Sequence, residues 1–84
     1  MSRREKLLRK LLDGQADRQF AFRELVRLLI MLGFRHRQSG SHHVFSKPGV
    51  VERITLQRDG SQAKAYQVRQ VRNIITRYLD KEHD

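Results

Sequence analysis

No cysteine occurs in this chain. Neither a disulfide framework nor a thiolate metal site can form, and a reducing compartment, the cytoplasm, is the expected setting. Long apolar runs are missing as well. The longest, Leu28 to Leu32, falls far short of the roughly 18 residues that a membrane span needs. The paired leucines near Met1 are interrupted by Arg9 and Lys10, so no signal peptide or anchor is readable. Stacking aromatics are few: Tyr66 and Tyr78 are the only tyrosines, and the four phenylalanines occupy apolar pattern positions. That disfavours a platform of stacked single-stranded bases and favours recognition by shape and phosphate. No Gly-x-Ser-x-Gly or Gly-x-x-x-x-Gly-Lys run occurs, which removes nucleophile elbows and phosphate-cradling glycine loops. Acidic residues are scarce: 9 Asp and Glu stand against 18 Lys and Arg, for a formal net charge of +9. Such an excess suits a polyanion, nucleic acid ahead of an anionic membrane surface.

With 84 residues the chain holds one domain, which buries only about 60 % of its unfolded surface. Ser2 and Glu5 stand at capping-box spacing, and Leu7, Leu8, Leu11 and Leu12 form one stripe before Asp13 and Gly14 end it. This predicts a short amphipathic helix, followed by a polar connector over Gln15 to Arg18. From Phe22, the positions Leu25, Val26, Leu29 and Leu32 recur at helical spacing with Arg23 and Arg27 opposite, and Gly33 sits at the left-handed cap. The period then becomes alternating. Strands are predicted over Phe34 to Gln38, His42 to Ser46 and Val50 to Gln57, with Lys47-Pro48-Gly49 turning between the last two and Asp59-Gly60 closing the third. A second long helix is predicted from Tyr66 to Leu79, with Val68, Val71, Ile75 and Tyr78 inward and Arg69, Asn73 and Arg77 outward. The fold class is α+β: helix, three-stranded antiparallel sheet, helix, with both helices on one sheet face and an extra N-terminal amphipathic helix. Residues 1–19 read as extension and linker, 20–80 as the main domain, and 81–84 as a polar tail.

The run Gly40-Ser41-His42-His43-Val44-Phe45 is the most unusual in the chain, because two histidines begin a strand directly after a glycine, which lets another backbone approach closely. An imidazole takes and gives a proton near neutrality, as in-chain RNA cleavage requires. In that reaction the 2′-hydroxyl attacks the adjacent phosphorus, a base takes its proton, and cations stabilise the phosphorane. The same pair also reads as plain polar strand surface. Alternation puts His42 on the face of Val44 and His43 on the face of Phe45, so the two are not a side-by-side acid and base. A metal site from His36, His42 and His43 has no recognisable ligand spacing and is set aside. Arg35 and Arg37 share a strand face, and Lys64 precedes the last helix, where backbone amides and a lysine together suit a phosphate.

With those residues assembled, the chain resembles the HicA family of toxins, ribonucleases of toxin–antitoxin pairs with a fold similar to double-stranded RNA-binding domains. The resemblance spans about Phe22 to Leu79. It is carried by Leu32-Gly33-Phe34, Gly40 to Phe45, Ile54-Thr55-Leu56-Gln57, Lys64 and Tyr66 to Val71, of which only the glycine-serine-histidine segment is distinctive. It implies that His42 is catalytic, that messenger RNA is the substrate, and that a HicB-type antitoxin covers the histidine. Arg35, Arg37, Gly40, Ser41, His43 and Lys64 are the expected RNA-binding residues. No metal or other cofactor, no membrane and no small-molecule ligand is expected. The family's minimal form begins near Phe22, so the first twenty or so residues lie beyond the resemblance. They are left to packing on the domain, to RNA or antitoxin contact, or to weak membrane association. Two other readings stay open: a module that binds structured RNA without cutting it, and a protein whose charge serves an acidic protein partner.

Overall fold

Helix α1 (Arg3–Asp13) starts where the Ser2 hydroxyl accepts a hydrogen bond from the Glu5 amide at 3.1 Å, satisfying one of the orphan donors of the first turn. The computed structural model describes residues 2–83, with side chains described as far as residue 79, so the tail expected over 81–84 lies outside the described side chains. Leu7 and Leu11, one turn apart, are buried, whereas Leu12 is exposed. After a 3₁₀ turn (Asp17–Gln19), helix α2 (Phe22–Met31) opens with the Glu24 carboxylate accepting from the Ala21 amide at 3.0 Å. It closes as a Schellman motif: the Phe34 amide donates to the Leu29 carbonyl and the Gly33 amide to that of Ile30, both at 3.0 Å, with Gly33 at φ 97°.

Strands β1 (Arg35–Ser39), β2 (His42–Lys47) and β3 (Val50–Leu56) form an antiparallel sheet in the order β1-β2-β3. Phe34, expected in the first strand, instead lies in the core just ahead of it. One sheet face is apolar, with Phe45, Ile54 and Leu56 buried beneath the helices. Glu52, which interrupts that face in the sequence, is held at its margin by an ion pair of 2.6 Å with Arg77 of helix α3 (Ala65–His83). A small hairpin unforeseen in the sequence, β4 (Arg58–Asp59) with β5 (Gln62–Ala63), turns at Gly60-Ser61, so that Asp59, expected in the turn, pairs with Gln62 instead. It is stitched to the start of α2: the Phe22 amide donates to the Ser61 carbonyl at 3.0 Å, and the Ala63 amide to that of Phe20 at 2.8 Å. Together these elements are α+β and have the double-stranded RNA-binding-domain-like arrangement, with α1 added.

One core unites α1, α2, the sheet and α3. Leu7 and Leu11 meet it together with Leu25, Leu28, Leu29, Val68, Val71 and Ile75, each such leucine contributing about 1.5–3 kcal/mol on burial. Arg72 fastens α1 from outside the apolar contact. Its guanidinium donates to Asp17 through Nη1 at 2.7 Å and Nη2 at 3.0 Å, and through Nη1 to the Leu11 carbonyl at 3.3 Å. Lys47 does the same for α2, donating to the Leu32 carbonyl at 2.7 Å beneath the Tyr78 ring. No described helix is long and apolar enough to cross a membrane.

Candidate nucleic-acid interface and histidine site

The β1–β2 connection is a two-residue hairpin turn, because Ser39 pairs with His42 and leaves only Gly40 and Ser41 between the strands. Gly40 has φ 60° and Ser41 does not have positive φ, the pattern of a type II′ turn, which favours glycine at its first central position. The close backbone approach expected at Gly40 is not found: a Cβ built there meets nothing within 4 Å. Turn geometry, rather than crowding, is what requires glycine. The turn holds His42 at the first position of β2, exposed at the rim of the sheet.

Register then sorts the neighbours. Arg35 pairs with Ser46, Arg37 with Val44 and Ser39 with His42, so Arg35, Arg37 and His42 share the sheet face turned away from the helices. Arg37 lies about 7 Å and Arg35 about 13 Å along the strands from His42, at two and four residue steps. Val44 pairs with Thr55, which adds Arg53 to the same face. The sequence reading had no reason to single out Arg53, since only the β2–β3 register shows which side it takes. Every acid in these strands is accounted for by Glu52, which points the other way. The open face therefore carries three arginines and no carboxylate.

Beside His42 the chain leaving β3 places Gln57. Its Nε2 is 3.5 Å from His42 Nε2, and its Oε1 accepts from Lys64 Nζ at 3.4 Å. Both contacts are long and weak, yet they bring His42, Gln57 and Lys64 into one row. Gln67, buried at the start of α3, fixes the row from below by accepting from the Gln57 amide at 3.2 Å. Gln57 and Gln67 belong to the segments that carry the family resemblance but have no site role assigned from the sequence; their roles arise from the junction of sheet and helix. Gln38, Ser41, His43, Gln57, Arg58 and Lys64 line a shallow cleft at this corner.

His43 faces the helices, as alternation requires. Its ring meets Phe22 edge-on at 4.9 Å and stacks with His36 at 5.1 Å, and His36 in turn stacks on Phe45 at 4.6 Å. His36 Nε2 and His43 Nδ1 are 2.9 Å apart, so one ring donates a proton that the other accepts. Partial burial, helped by His36 and by the Arg58 charge, lowers the His43 pKa below its ordinary 6.5. At neutral pH His43 is a neutral, partly packed ring. The three histidines do not converge: His36 and His43 make one pair and His42 lies across the sheet, and among the described residues no three His, Asp or Glu side chains cluster as metal ligands.

A family model described as the HicA toxin of bacterial toxin–antitoxin systems matches residues 22–76. That span contains α2, all five strands, His42, Gln57 and Lys64, and leaves α1 outside. Comparison with curated proteins and with solved structures finds no match.

Proposed function

The chain belongs to the HicA family, toxins of toxin–antitoxin systems, and we propose that it acts as an endoribonuclease that cleaves messenger RNA in the cytoplasm with His42 as the base. The observation that carries this reading is the exposed His42 in a row with Gln57 and Lys64, at the rim of a sheet face bearing cations and no acid. In the proposed step the neutral His42 imidazole takes the proton of a ribose 2′-hydroxyl. The 2′-oxygen bonds to phosphorus, the bond to the 5′-oxygen breaks, and that oxygen is protonated by water. The products are a 2′,3′-cyclic phosphate and a 5′-hydroxyl. Lys64, and the Gln57 amide beside it, face the non-bridging oxygens, where negative charge grows. Arg35, Arg37 and Arg53 bind flanking phosphates, and Gly40 and Ser41 leave the turn open to the strand. His43 supports the site through packing, since a neutral ring on the opposite face is poorly placed to serve as the acid. No step in this scheme requires a metal.

Restraint comes from a partner in this reading. A HicB-type antitoxin that lays acidic or neutral surface over Arg35, Arg37 and His42 excludes the scissile phosphate, and charge complementarity speeds its encounter with the toxin. Induction of the chain without antitoxin is expected to arrest growth with loss of messenger RNA. His42→Ala should abolish the arrest while the protein accumulates folded, and co-expression of the antitoxin should relieve it. Undiminished arrest by the folded His42→Ala variant refutes the assignment.

A further inference from the structure

We propose that the groove between α1 and α2 is an accessory track for single-stranded RNA, carrying the strand away from the histidine site along a surface of which one wall, α1, lies outside the matched family region. The inference rests on the ribonuclease reading for its ligand and on separate observations for its place. Arg3, Lys6, Arg23 and Arg27 line this groove together with Leu7 and Glu24. All four cations are exposed, and none takes part in the ion pairs among the described residues. The single acid, Glu24, is already engaged: Lys10 donates to it at 2.9 Å and the Ala21 amide at 3.0 Å. These contacts outweigh its partial burial and leave its pKa below the ordinary carboxylate value. Among the described residues the groove is thus a concave surface with four cations to one carboxylate, an excess of positive charge that a phosphate chain would balance.

Continuity with the cleft that Gln57 and Lys64 line beside His42 is the second observation. Arg23 and Arg27 also border the neighbouring hollow over α2, whose floor is Phe22, Val26, Ile30 and Met31 and whose far wall is His43 and Arg58. His43 and Arg58 in turn line the corner cleft with Gln57 and Lys64. The Arg58 guanidinium lies 5.1 Å from the Phe22 ring centre, a cation–π contact that favours this orientation at the junction. An apolar floor between arginine walls accepts a base while the guanidiniums take the phosphates on either side. Helix α1 is anchored by Leu7, Leu11 and the Arg72 contacts, and so it presents Arg3 and Lys6 to the track in a set position.

The test is equilibrium binding by the full chain to RNA with every 2′-hydroxyl methylated, which cannot be cut. Oligonucleotides of roughly 4 and roughly 16 nucleotides bracket common single-strand site sizes. The double variant Arg3→Gln/Lys6→Gln should bind the short RNA like the wild type and the long RNA more weakly. Loss of two contacts at about 0.7 each in log-log slope predicts that the ratio of wild-type to variant affinity for the long RNA falls about sevenfold between about 50 and about 200 mM salt. Equal binding of the long RNA by both proteins at all salt concentrations overturns the proposal. So does a variant that keeps RNA binding but loses the antitoxin, which would make the groove a protein interface. Failure of the ribonuclease reading is distinguishable: a wild type that shows this length dependence yet leaves unmodified RNA intact refutes catalysis and supports the track.

Discussion

Replacing Leu11 by Ala is expected to cost about 3 kcal/mol of stability, although Leu11 lies outside the matched family region. The side chain is 0 % exposed in the core shared by α1, α2 and α3. The substitution removes Cγ and both Cδ atoms, a transfer loss of about 2.4 kcal/mol at about 0.8 kcal/mol per carbon. A cavity term is added, and because α1 is a peripheral helix that can settle inward, the total belongs in the lower half of the roughly 2–5 kcal/mol range for buried leucines. In a domain of this size each kcal/mol lowers the melting temperature by about 4–8 °C. Thermal unfolding followed by circular dichroism reads this directly. Leu12→Ala, one position on and 40 % exposed, serves as control and should stay within about 0.5 kcal/mol. If the two variants melt alike, α1 is not part of the core and its anchoring role is refuted.

Arg72→Met should destabilise by about 2 kcal/mol, because it strands the Asp17 carboxylate, 13 % exposed, without its charged donor. The Arg72 hydrogen bond holds the Asp17 pKa below 3.8. Its stabilisation is therefore present above that value and lost as pH falls through the lower folded pKa, and the acid dependence should shrink in the variant. His43 behaves in the same direction for a different reason. Its folded pKa lies below 6.5, so unfolding takes up a proton and stability falls as pH drops from 6.5 towards the folded value; in His43→Phe, denaturant titrations should show less of this loss. For RNA binding, Arg37→Ala and Lys64→Ala should each shallow the log-log salt slope by about 0.7, with affinity lowered across sequences rather than at one base; unchanged slopes would exclude them as phosphate contacts.

The helices were legible because burial on one side imposes a period that the order of apolar residues reveals: Leu25 and Leu29 in α2, and Val68, Val71 and Ile75 in α3, are inward as their spacing demands. The faces of His42 and His43 followed from alternation in β2. What the sequence could not disclose depends on residues far apart in the chain. Gln57 becomes part of the site only because β3 ends beside both His42 and Lys64, and Arg58 only because a hairpin too short for any periodic signal folds it over Phe22. The pairing of His36 with His43 reflects the β1–β2 register, with Gln38 opposite His43 and His36 opposite Phe45, and a two-residue turn sets that register. Gly40 was legible as a requirement but for the wrong cause, since a positive φ and a close approach leave the same trace in a sequence.

Single-turnover cleavage of a short RNA in the presence of a chelator tests the central claim most directly, comparing wild type with His42→Ala at matched, saturating protein. The account predicts that the wild type yields 2′,3′-cyclic phosphate and 5′-hydroxyl ends. It further predicts that the variant binds the RNA about as well but cuts it at least about 100-fold more slowly, the lower bound for losing a general base. Cleavage by His42→Ala at the wild-type rate, or cleavage by the wild type that the chelator abolishes, would contradict it.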